Sequence, residues 1–283
     1  MVPECLHIKE ALREFALSEL KTQSQGHIKP MHHYISLRLV IEGGFLPEEI
    51  TPRPPLRATR RSGSWVLQWD ESAAGGPQEM TVMGGMKTKK IDVVVAKPGI
   101  GPVMAVSVKG TCNAYRNLTN RMEEAIGDST NLHVMYPGLV YGFLHLVRAN
   151  RQENGYAAND VGIAPDGSVS PQIQRYYGAL CEMTGRRFVR NDYTRYESVG
   201  LALIENDQEH AGEVHPAWPP AGSPLRIESF FQRLFETYDI RFPTRAEDLP
   251  ITRRVSWLES MPLFRVLAEP LEETLGYVPR LSG

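Results

Sequence analysis

Two short β-type runs carry the densest chemistry in this 283-residue chain. Asp92 lies near the start of IDVVVA (91–96), and Lys109 closes VMAVSVK (103–109). Between them KPGIGP (97–102) has the Gly and Pro content of a hairpin connection. Side chains alternate along a strand, so Met104, Val106 and Val108 share one face, while Ser107 and Lys109 share the other. Folding the loop symmetrically pairs 96 with 103, 95 with 104, and so on down to Asp92 with Ser107. A one-residue bulge would shift that register. In this register Asp92, Ser107 and Lys109 converge on one face. Glu123 follows 14 positions after Lys109, in a stretch of helical periodicity, and flanks its apolar stripe. A helix packed on the sheet can return that carboxylate to the strand ends. Glu124, one position on, is the alternative. Carboxylates are hard oxygen ligands suited to Mg²⁺, and a lysine ammonium can orient a water and stabilise developing negative charge.

An Asp in one strand, followed by a residue two before Lys in the next, resembles the active-site pattern of the PD-(D/E)xK nuclease superfamily. The chain is most similar to a subgroup of type II restriction endonucleases in which Ser-x-Lys replaces Glu-x-Lys and a later glutamate supplies the displaced carboxylate. Here those positions read Asp92, Ser107-Val108-Lys109 and Glu123, and Ile91 stands where the family name has Pro. The resemblance spans roughly residues 88–148. It implies a restriction-endonuclease-like α/β fold, with a mixed central sheet flanked by helices. It also implies Mg²⁺-dependent hydrolysis of double-stranded DNA by direct water attack. Asp92 and Glu123 would be metal ligands, with the Val108 carbonyl completing the shell and Lys109 acting on the water. Glu42, ending a helix before a Gly pair, resembles the first-helix carboxylate that some members add. Enzymes of this type commonly work as homodimers or higher oligomers, because two active sites must meet both strands. Two other readings stay open: a non-sequence-specific repair or defence nuclease of the same superfamily, and a non-catalytic DNA-binding module on a degenerate nuclease fold.

The expected DNA contacts are Arg60 and Arg61, Lys87, Lys89 and Lys90, then Arg116, Asn117, Asn120 and Arg121 beside the catalytic helix. A second group is Arg186, Arg187, Arg190 and Asn191. Arg and Asn make bidentate base contacts, whereas Lys mainly meets phosphate. His32 and His33 are adjacent, which suits neither a shared face nor metal-binding spacing, so they read as solvated or core-edge residues. Gly99-Ile100-Gly101 has no helix after it and reads as a hairpin turn.

The elements that must position these groups follow from periodicity. Helices are expected at 5–21, 31–42, 117–130, 171–184 and 225–238. In the third, Leu118, Met122, Ala125 and Ile126 form the expected apolar stripe. Strands are expected at 64–69, 91–96, 103–109 and 198–204, with GLVYGFLHLV (138–147) suited to a strand buried on both faces. Residues 51–63, 72–77 and 214–224 read as loops or turns. The layout is α/β with a mixed sheet, read as one nuclease domain. Its core covers 31–148, with 149–283 adding recognition and oligomerisation elements.

Composition sets the outer bounds. Apolar residues make up 42% and charged residues 23% of the chain, which is ordinary globular usage. Three widely spaced cysteines support neither a disulfide scaffold nor a thiolate zinc site. With no apolar leader or membrane-length run, this reads as a cytoplasmic protein. The net charge of −2 argues against a general polyanion coat. Residues 51–121 nevertheless hold 11 Lys/Arg against 4 Asp/Glu, and the rest 20 against 29, so a +7 segment sits in a −9 remainder. That asymmetry predicts a polyanion-facing surface around the hairpin.

Overall fold

Val140–Arg148 is buried at every position, as a run of Val, Tyr, Phe and Leu with no polar alternation requires. It is an interior strand of the main sheet in the computed structural model, which describes residues 5–18, 26–190, 192–267 and 270–282. In chain order the elements begin with helices α1 (Ile8–Leu17) and α2 (Lys29–Ile41). Strands β1 (Ile50–Thr51), β2 (Leu56–Arg61), β3 (Ser64–Trp69), β4 (Met80–Met83), β5 (Thr88–Ile91), β6 (Val93–Lys97) and β7 (Gly101–Thr111) follow. Next come α3 (Leu118–Met135), β8 (Val140–Arg148), α4 (Pro171–Met183), β9 (Ser198–Ile204) and α5 (Ile227–Arg241). The chain closes with β10 (Trp257–Leu258), α6 (Leu271–Leu275) and β11 (Leu281–Ser282).

The main sheet has the order β1-β6-β7-β8-β9. β1, β6 and β7 pair antiparallel, and β7, β8 and β9 pair parallel. Each parallel step needs a crossover, and α3 and α4 supply them. Alternation divides the strand residues between two cores. Val93, Val95, Met104, Val106 and Val108 pack with α1, α2 and α5, while Val94, Ala105, Tyr141 and Phe143 pack with α3 and α4. The protein is therefore mixed α/β, with helices on both faces of the sheet. Burying a Val or Leu side chain is worth about 1.5–3 kcal/mol, so the strand identities alone strongly favour this layering.

The fifth strand comes from 198–204, so the sheet does not end at the boundary expected at 148. Residues 56–61, expected within a loop, form β2, the partner of β3 in a second sheet of order β11-β10-β3-β2. The β4–β5 hairpin was not expected at all; its strands have four residues each, too short for a periodic signal. The first helix is described over 8–17; residues 19–25, within and beyond its expected end, lie outside the described part. No described helix is long and apolar enough to cross a membrane.

A buried charge cluster ties α3, α5 and β8 together. Glu197 accepts hydrogen bonds from the Tyr141 backbone N–H at 2.7 Å and Arg186 Nη1 at 2.7 Å, with Arg241 Nη1 at 2.5 Å. Burial opposes its ionisation, but His133, Arg241 and Arg186 outweigh that and hold its carboxyl below the usual range. Arg186 is 1% exposed and is thus a structural cation, a correction to its expected place on a DNA-facing surface.

Candidate functional site

Val93 pairs with Val106, Val94 with Ala105, and Val95 with Met104, the register expected from the symmetric hairpin. A bulge follows Val95, so Ala96 meets Pro102 and not Val103. Gly99 and Gly101, at φ +75° and +93°, supply the left-handed backbone of the turn. Because the bulge lies on the turn side, it leaves the other end of the ladder in register. Asp92, in the single-residue break between β5 and β6, reaches across to β7, where its Oδ2 accepts the Val108 N–H at 2.7 Å.

Asp92 and Ser107 are buried, and with Lys109 and Glu124 they line one cleft of about 330 Å³. Glu79, Lys87, Thr88, Lys89 and Lys90 form the rest of its wall. The Ser107 hydroxyl is 2.8 Å from the Tyr141 hydroxyl of β8. Lys109 Nζ lies 3.4 Å from Glu124 Oε1. Lys89 Nζ lies 2.5 Å from Asp128 and 3.9 Å from Glu124. Arg121, Glu124 and Asp128 recur at three and four residues, so they share the helix face turned to the strands.

Glu123 sits about 100° around α3 from Glu124. It is exposed and does not line the cleft, so the residue expected as the second carboxylate is replaced at that position by its neighbour. The reason is the phase of the helix. Ile126, expected in the apolar stripe, is 36% exposed, whereas Asp128, Ser129 and Asn131 are buried. Burial works against Glu124 ionising, but Lys109, Arg121 and Lys89 prevail and hold it below the usual carboxylate range. Asp92 goes the other way. Burial pushes its carboxyl up, and the Val108 N–H and the charges of Lys109 and Lys89 only partly offset this.

Glu42 does not reach the site. It caps the C-terminus of α2 and is paired with Arg38, whose guanidinium lies over the Phe231 ring. The α2 residue that approaches Asp92 is His32, ten residues or about 15 Å along the helix from Glu42. His32 is 4% exposed, so of the two placements expected for it, solvated or core-edge, it takes the core edge. Its Nε2 is 3.8 Å from Asp92 Oδ1 and has no hydrogen-bond partner. Burial first, then the nearby cations, lower its pKa to about 4 against the pull of Glu79, so it is neutral at pH 7. It also lines an adjoining cleft with Lys29, Glu79 and Lys90. His32 and Glu79 had no spacing signal, since only the α2 docking and the β4–β5 hairpin bring them to Asp92.

Among the expected DNA contacts, Lys87 and Lys90 are exposed on the cleft wall, and Lys89 is partly neutralised by Asp128. Arg116, Asn117, Asn120 and Arg121 are exposed around the start of α3, with Arg121 3.0 Å from Glu124. Arg60 and Arg61 are exposed at the β2–β3 turn, and Arg187 and Arg190 on the loop after α4. Asn191 lies outside the described residues.

Asp92 and Glu124 offer hard oxygen donors on one cleft, and His32 offers a buried lone pair beside Asp92. Among the described residues no three His, Cys, Asp or Glu side chains stand close enough to form a closed metal cage. Mg²⁺ commonly uses one or two carboxylates plus water and substrate phosphate, so this open donor set fits it. No protein-family model matches the chain, and neither a curated protein nor a solved structure matches it.

Proposed function

We propose that this protein is a Mg²⁺-dependent endonuclease of the PD-(D/E)xK type that hydrolyses phosphodiester bonds of double-stranded DNA, as a type II restriction enzyme does. The observation that carries the reading is the meeting of Asp92, Ser107, Lys109 and Glu124 on one cleft, across two adjacent strands and the helix that follows. The sheet supports it further. An antiparallel hairpin, a crossover helix and a parallel strand (β6, β7, α3, β8) are the arrangement a restriction-endonuclease-like core requires.

Asp92 and Glu124, with the Val108 carbonyl, would hold Mg²⁺, which when bound neutralises charge at the phosphate and assists the leaving oxygen. Lys109, between that site and solvent, positions the attacking water and stabilises the negative charge that builds on the phosphoryl oxygens. The water oxygen forms the new P–O bond and gives up a proton to solvent, while the bond to the leaving sugar oxygen breaks and that oxygen takes up a proton from solvent. Ser107, tied to Tyr141, keeps β7 in register beneath Lys109. Lys87 and Lys90 meet the flanking phosphates, with Arg116, Asn117 and Asn120 as candidates for contact on the α3 side. Cleaving both strands of a duplex calls for a homodimer or higher oligomer.

Incubation with plasmid DNA in Mg²⁺ or EDTA tests this. Discrete fragments in Mg²⁺ alone, lost in Asp92→Ala and Lys109→Ala, are expected. Unbanded degradation lost in the same variants would favour the non-sequence-specific nuclease. Metal-independent binding unaffected by Lys109→Ala, without cleavage, would favour the degenerate module. Metal-dependent cleavage that survives both substitutions would refute the site.

A further inference from the structure

The β4–β5 hairpin has an inner and an outer face. Val82 and Ile91, 3% and 0% exposed, pack into the α3 side of the core, and Lys89 shares their face. Thr81, Met83, Thr88 and Lys90 therefore point outward. At the tip, Gly84-Gly85-Met86-Lys87 is clamped by one side chain. Asn131 Oδ1 accepts the N–H groups of Met86 at 2.8 Å and Lys87 at 3.1 Å, and its Nδ2 donates to the Lys87 carbonyl at 2.8 Å. The Asn131 carbonyl takes the Gly85 N–H at 2.8 Å. Both glycines are needed for that approach. A Cβ at 84 would lie 2.2 Å from Asn131 Nδ2, and one at 85 would lie 2.4 Å from Val134 Cγ1.

This rigid clamp presents an unusual cargo. Met86 is 69% exposed, the most exposed large apolar side chain among the described residues, and Met83 is 61% exposed. Burial against the protein cannot explain either. The next residue, Lys87, already lines the cleft that holds Asp92 and Lys109, and Lys90 lies on the same outer surface as Met83. An apolar tip flanked by exposed lysines, one residue from a phosphodiester-binding cleft, matches the chemistry of a duplex: phosphates outside, stacked bases inside. A two-stranded ribbon fits a DNA groove. Proteins that kink DNA insert apolar side chains, Met among them, between base steps.

We propose that Met86, backed by Met83, is a wedge that enters a base step of the bound duplex beside the scissile phosphate, while Lys87 and Lys90 hold the phosphates on either side. The wedge rests on the nuclease reading above. It makes Asn131 a positioning residue, because its amide fixes where the wedge points.

Permanganate oxidises thymines that are unstacked, and needs no knowledge of the recognition sequence. The full chain is mixed with a long plasmid fragment in EDTA, with binding followed in parallel by anisotropy of a labelled mixed-sequence duplex. Wild type should produce localised reactive thymines. Met86→Ala should reduce them about tenfold while still binding DNA, and Met86→Leu, which keeps an apolar wedge, should preserve them. The Met86 side chain is exposed, so both variants should melt with wild type. Reactivity equal in wild type and Met86→Ala, or DNA bound and cleaved with no reactive thymine, overturns the wedge and leaves the nuclease reading standing. No binding and no cleavage by wild type overturns both. Self-association abolished by Met86→Ala, with DNA behaviour unchanged, assigns the tip to a second copy of the chain and overturns the wedge.

Discussion

Replacing Asp92 by Asn removes one charge and almost no volume, and the structure gives both effects a sign. The buried carboxyl has its pKa pushed above the free value of 3.8, chiefly by desolvation. Its favourable, protonated contribution is full below the unfolded pKa and is lost as pH rises through the folded one, so at pH 7 the ionised group costs stability. Asparagine keeps the acceptor for the Val108 N–H. Its amide nitrogen, in the place of Oδ1, stands 3.8 Å from the unpartnered Nε2 of His32, so a side-chain shift of under about 1 Å lets it donate there. A net hydrogen bond contributes about 0.5–1.5 kcal/mol. With relief of the buried charge, Asp92→Asn should stabilise the metal-free protein by about 1–2 kcal/mol. For a chain of this length that raises Tm by about 2–3 °C. Mg²⁺ at ten times its Kd should stabilise wild type by about 1.4 kcal/mol, and the variant should lose that shift together with all cleavage. Calorimetry in EDTA and in Mg²⁺ measures each term, and the EDTA gain should vanish below pH 3.8. A lower Tm for Asp92→Asn in EDTA, or equal Mg²⁺ shifts in the two proteins, would contradict these roles for Asp92.

Three further outcomes follow from the same geometry. Glu124→Gln should lower the cleavage rate by about 10²–10³, and Glu123→Gln should leave it within about twofold; single-turnover rates on plasmid DNA distinguish them, and the reverse ranking restores Glu123. Arg186→Ala removes one cation from the buried Glu197 and should cost about 3–5 kcal/mol by urea denaturation, whereas Arg187→Ala and Arg190→Ala should change stability by less than about 0.5 kcal/mol. His32, neutral to about pH 4 when folded and protonated near 6.5 when unfolded, makes the fold lose stability as pH falls through that window. His32→Asn should remove about 3 kcal/mol of that loss at most, measured as the difference in unfolding free energy between pH 7 and pH 4. An unchanged acid slope would place the titration elsewhere.

Much of this protein follows from local pattern. The alternation in 103–109 assigned Ser107 and Lys109 to one face, and pairing across 97–102 set Asp92 against β7, because strand register depends on a period of two and on a short loop. The continuous apolar run at 138–147 identified a strand buried on both faces for an equally local reason. Helix phase was another matter. Glu123 and Glu124 are equivalent to periodicity when Met122 and Ile126 can both be drawn into the stripe. Packing chose the face that buries Asp128, Ser129 and Asn131, polar residues whose partners are remote in sequence. His32 and Glu79 became visible only once α2 and the β4–β5 hairpin had docked. Arg186 looked like a surface cation until Glu197, from the edge of the next strand, neutralised it. Even the +7 segment is partly balanced from outside, with Lys97 on Glu49, Lys89 on Asp128 and Lys109 on Glu124. Residue types and strand register, which are short-range, were determined by the sequence alone. Which of Glu123 and Glu124 lines the cleft, the company of Asp92 and the set of exposed cations needed contacts between segments tens of residues apart, and those exist only in the folded chain.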